Sequence, residues 1–84
     1  MTLAEFIKQF VCPNTMIRLW VEAVGGHRLL TDGDSEINME WEILNDSDWG
    51  SAFKDWFVIG VTDILCDSYK EAVNIVITKE KKNG

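Results

Sequence analysis

An α+β fold, with one N-terminal helix packed on a small antiparallel sheet of four to five strands, is the architecture this 84-residue chain predicts. Three observations predict it. A capped apolar stripe at helical spacing opens the chain, period-two alternation dominates the remainder of it, and a glycine pair marks a tight reversal. The length fits one domain, residues 1–84, with 79–84 read as a frayed tail.

The helix comes first. Thr2 stands three residues before Glu5, the spacing of a capping box, and Leu3, Phe6, Ile7, Phe10 and Val11 recur on one face. Pro13 ends the element by pushing Cys12 out of the helical region. In "NTMIRLWVEAV", Ile17, Leu19, Val21 and Ala23 point inward and Met16, Arg18, Trp20 and Glu22 outward. Gly25 and Gly26 supply a hairpin turn, "HRLLT" returns as the partner strand, and "DGDSE" is an acidic loop.

"EINMEWEIL" alternates most strictly, with Ile37, Met39, Trp41 and Ile43 inward and Glu36, Asn38, Glu40 and Glu42 outward. It is expected to be a strand. "NDSDWGSAFKDW" has no sustained period and reads as a long loop in which Asp48 caps a single helical turn weakened by Gly50. "WFVIGVT" reads as a buried strand. "DSYKEA" reads as one helical turn, with Ser68 and Glu71 at capping-box spacing. "AVNIVITK" closes the sheet with Val73, Ile75 and Ile77 on one face and Asn74 on a wetter one.

Composition narrows the function classes. A chain of this size buries only about 60% of its unfolded surface, so four Trp, four Phe and one Tyr point to large core side chains or oligomerisation as its reinforcement. Cys12 and Cys66 read as isolated buried thiols rather than a disulfide, because "MTLAEFIKQF" lacks the basic start and apolar run of an export signal. The same feature sets aside the sequon at Asn45. No run reaches the ~18 apolar residues of a membrane span. A bacterial cytoplasm is the expected location.

The net charge is −6, and residues 32–71 hold eleven carboxylates against two lysines. An acidic body repels phosphate and anionic lipid, so neither direct nucleic-acid binding nor membrane binding is expected. "DGDSE" has the acids of a calcium loop, but Ile37 and Ile43 stand where the loop requires Gly and Glu. His27, Cys12 and Cys66 are too scattered for zinc, and Gly25–Gly26 lacks a P-loop lysine. No cofactor, metal or catalytic residue is assigned, and the protein is read as non-enzymatic.

Tryptophans among carboxylates remain. Trp41 is expected to fill the core. Trp20, flanked on its face by Arg18 and Glu22, and Trp49, in a polar loop, read either as exposed anchors or as covered side chains. Alternate strand residues stand roughly 6.7 Å apart, so Glu36, Glu40 and Glu42 form a row repeating at every second duplex phosphate. A partner site is therefore expected from Glu36, Glu40, Glu42, Asp46, Asp48, Trp49 and Trp20. A second reading is a homo-oligomer that sequesters a small anionic ligand, such as a nucleotide signal, at Arg18, His27 and Arg28. A structural or assembly subunit is a third.

The start "TLAEFIKQFVCPNTMIRLW" and the later "SYKEAVNIVI" resemble small uncharacterised proteins of phages and prophages of Gram-positive bacteria. The resemblance covers architecture and carries no site residue. It implies a mobile-element protein that inhibits a host defence protein, here by occupying a basic nucleic-acid-binding surface.

Overall fold

The computed structural model describes residues 1–62 and 72–80. Helix α1 spans Leu3–Phe10, followed by strands β1 (Met16–Ala23), β2 (Gly26–Leu29) and β3 (Asn38–Met39). A short helix α2 (Glu40–Leu44) and a 3₁₀ helix (Trp49–Phe53) lead to strands β4 (Phe57–Thr62) and β5 (Val73–Thr78). The expected turn at Ser68–Glu71, Cys66, Lys81 and Lys82 lie outside the described residues.

The α+β class and the N-terminal helix stand as the sequence predicts. The five strands run in the order β2-β1-β5-β4, with β3 sharing the β2 edge of β1. Three pairings are antiparallel, but β1 and β5 run parallel at the centre, so the sheet is mixed and not the wholly antiparallel one expected. This parallel pair aligns Ile17, Leu19 and Val21 with Val73, Ile75 and Ile77. Same-face neighbours across adjacent strands are the unit that stabilises a sheet, and here they form its inner face. Leu3 and Ile7 of α1 and Ile43 of α2 close over it, so the helices lie on one side of the sheet.

Helix α1 starts as its sequence dictates. The Thr2 backbone N–H donates to Glu5 Oε1 at 2.8 Å and the Glu5 N–H to Thr2 Oγ1 at 3.2 Å, which satisfies two N–H groups the helix leaves unpaired. Leu3 and Ile7 are fully buried, but Phe10 is 63% exposed and rests on Phe6, 5.3 Å between ring centroids. Ala23 is exposed too, whereas Val11, the last residue of the helix stripe, packs on the core. The hairpin loop is Val24–Gly25 rather than Gly25–Gly26. Its second position has φ +83°, the positive angle a type II turn requires and glycine adopts without penalty. β2 stops at Leu29, although the Leu30 N–H still donates to the Leu19 carbonyl.

The principal correction concerns residues 36–44, which are not a strand. Only Asn38 and Met39 pair with β1, opposite Ile17 and Met16. Register with Ile17 places Asn38 on the core side, the reverse of the expected phase. Asn38 is fully buried, and its Oδ1 accepts the Gly50 N–H at 3.1 Å. The chain then turns helical at Glu40. Ile43 reaches the core from α2, and Trp41 is turned outward with 43% of its surface exposed. Cys12 is corrected as well: it is exposed, in the turn after α1, where its carbonyl accepts the Thr15 hydroxyl.

Candidate binding surface

Helix α2 is held at its N-terminal end by two carboxylates that strand alternation would turn toward solvent, and at its C-terminal end by backbone. Glu42 Oε1 accepts the Met39 N–H at 2.7 Å, half of a capping box. Glu40 Oε1 accepts the Asn14 N–H at 3.0 Å, tying α2 to the turn before β1. At the C-terminal end Asp46 has φ +57°, and the Ser47 N–H reaches back to the Glu42 carbonyl. Together these make a Schellman closure with aspartate in the place glycine usually takes.

The other expected acids are engaged in the same way. Asp46 Oδ1 meets Lys54 Nζ at 2.7 Å, and this hydrogen bond raises the Lys54 pKa above its ordinary value. Asp48 caps the 3₁₀ helix by accepting the Trp49 N–H at 2.9 Å, as its position before that turn implies. Glu36 lies 3.4 Å from Arg18 Nε. Each of the five carboxylates expected to contact a partner thus has a local partner of its own, a pattern that accounts for much of the acidity in this region.

The evenly spaced row of Glu36, Glu40 and Glu42 does not exist, because Glu40 and Glu42 sit on a helix and Glu36 precedes β3. Phosphate-matched mimicry loses its geometric basis. The two expected anchors are also held within the fold. Trp49 packs on the core beside Phe53, ring centroids 6.4 Å apart, so its loop folds back as a lid. Trp20 Nε1 donates to Asn74 Oδ1 at 2.9 Å across β1 and β5. Asn38 Nδ2 and Trp49 Nε1 are buried donors without an acceptor among the described residues.

What the structure leaves exposed on α2 instead is Trp41, whose chain neighbours Glu40 and Glu42 are turned to the Asn14 and Met39 N–H groups. Alternation could not show this. Residues 39 and 43 face one side in a strand and in a helix alike, and only the intervening Trp41 distinguishes the two.

The second expected cluster disperses. Arg18 points to the outer sheet face and engages Glu36. His27 lies opposite Glu22 and Arg28 opposite Val21, so the two neighbours occupy opposite faces of β2. Asp32 Oδ1 accepts the N–H groups of Asp34 and Ser35, which lowers the Asp32 pKa and makes the "DGDSE" loop a self-closed turn. Among the described residues no group of three or more His, Cys, Asp or Glu converges as a metal site, and no helix is long and apolar enough to cross a membrane.

The chain matches no known family model, no curated protein and no solved structure.

Proposed function

We propose that this protein is a non-enzymatic binding module that engages a basic surface of a partner protein through the face of α2, with Trp41 as the anchor and Glu40 and Glu42 beside it. The observation that carries the reading is Trp41 itself. A large ring, 43% exposed on a helix whose first turn is acidic, is the composition of an interface hot spot, because a rigid indole desolvates much area at small entropic cost. The molecule's charge of −6 supports a cationic partner and draws it in over distances comparable to the Debye length. In the setting implied by the phage-type resemblance, the partner is a host protein in the bacterial cytoplasm, and occlusion of its basic surface inhibits it.

Trp41→Ala tests the reading, since Trp41 is outside the core cluster, with an unchanged urea midpoint as the check that the fold is kept. Immobilised wild-type protein is expected to retain a basic protein from a Gram-positive lysate and release it as salt rises. Trp41→Ala is expected to weaken that complex by about 2 kcal/mol or more. Equal retention by the variant, retention indifferent to salt, or no retained protein would each overturn the reading.

A further inference from the structure

The parallel strands β1 and β5 end side by side, and beyond their carboxyl ends opens a cleft of about 410 Å³. That volume falls within the range of small-molecule sites, roughly 300–1,000 Å³. One wall is aromatic: Phe53 and Trp56 meet edge to face, ring centroids 4.9 Å apart and planes at 82°. Both are half-buried against the core, so the wall is rigid before anything binds. Leu30 adds apolar lining, and Arg28 and Lys79 contribute cations.

The charge of this cleft runs against the rest of the molecule. Arg18 and Lys54 are each committed to a carboxylate, whereas Arg28 and Lys79 make no ion pair among the described residues. Glu22 also lines the cleft, so its described lining residues sum to one net positive charge in a protein of net −6. A cavity that joins an aromatic wall to two cations fits a ligand that joins a flat ring to an anion. The guanidinium fork of arginine matches phosphate oxygens in pairs, and every nucleobase has a face that stacks on an indole.

We infer that this cleft binds a mononucleotide, its base against Trp56 and its phosphate between Arg28 and Lys79. Trp41 does not line the cleft, so the site is independent of the proposed partner face.

AMP is the probe, with adenosine and inorganic phosphate as its two halves, and the Trp56 indole N–H resonance, assigned with Trp56→Phe, is the readout. AMP is expected to shift that resonance saturably at millimolar concentration or below. Adenosine and phosphate are each expected to bind at least about tenfold more weakly. Arg28→Gln combined with Lys79→Gln is expected to lower AMP affinity by a similar factor, both side chains being exposed and the fold unaffected. Trp41→Ala is expected to leave AMP binding unchanged while weakening partner capture, which separates this inference from the preceding one. An unshifted Trp56 resonance, adenosine binding as tightly as AMP, or undiminished binding in the double variant would overturn it.

Discussion

Individual side chains show why polar and aromatic residues occupy their positions, and the tryptophans separate into distinct roles. Trp20 and Trp49 differ in a way that predicts opposite responses to one substitution. Trp20 Nε1 is the donor to Asn74 Oδ1, and Asn74 is buried. Trp20→Phe keeps an aromatic ring but strands that acceptor on its indole side, at an expected cost of about 1–3 kcal/mol. Trp49 Nε1 is buried with no acceptor among the described residues, so Trp49→Phe deletes an unsatisfied donor and is expected to remain within about 1 kcal/mol of wild type. Urea unfolding of the two variants checks the contrast, and a larger loss for Trp49→Phe would contradict it. Sequence alone leaves both residues open between anchor and covered side chain, because alternation assigns a face without saying what lies over it.

At the scale of elements, α1, the first hairpin and the extended state of β1 and β5 were legible, whereas the parallel pairing of those two strands and the 36–44 segment were not. Thr2 and Glu5 act locally and announce the helix within four residues. The strands β1 and β5 carry inward aliphatic positions, whose period needs no knowledge of partners. By contrast, the conformation of 38–44 depends on Asn38 finding the Gly50 N–H twelve residues away and on Glu40 finding Asn14, contacts no local pattern encodes. The same dependence predicts a sensitive point. A Cβ added at Gly50 would overlap the Asn38 side-chain amide. Gly50→Ala is therefore expected to destabilise by about 1–3 kcal/mol through overpacking. Asn38→Ala opens the space but leaves the buried Gly50 N–H unpaired, with a loss of similar size. In a double-mutant cycle the two changes are expected to be less than additive, because the clash requires Asn38 to be present. Full additivity by denaturant unfolding would show that α2 and the 3₁₀ helix are not joined through this contact.

For the whole molecule, two electrostatic effects oppose each other as pH falls, and their balance predicts the stability profile. Fourteen carboxylates against eight Lys and Arg give net −6, so acidification at first relieves self-repulsion. Against this, the Glu5 carboxyl is held below its ordinary value by the Thr2 backbone N–H and hydroxyl, and Asp32 by the N–H groups of Ser35 and Asp34. A depressed folded pKa contributes stability that is full above the unfolded value and lost as pH falls through the folded one. For these two groups the loss begins below their ordinary values of 4.5 and 3.8. Lys54 has the opposite sign: its raised value contributes below 10.5 and is lost as pH rises through the folded value. Self-repulsion acts over many ångströms and is screened at physiological salt, where the Debye length is about 8 Å, while the caps are direct hydrogen bonds and persist. Salt is therefore expected to raise the thermal midpoint at pH 7 and to leave the decline below about pH 4.5 in place, making the acid limb steeper. Glu5→Gln removes one titrating cap and should flatten part of that limb by lowering the midpoint above about pH 4.5, where the Glu5 contribution is full, while the shape of the alkaline limb is unchanged. Thermal midpoints across pH at low and physiological salt, for wild type and Glu5→Gln, check the balance. A midpoint that keeps rising toward pH 3 would show that charge relief, and not the loss of the carboxylate caps, governs how this fold responds to acid.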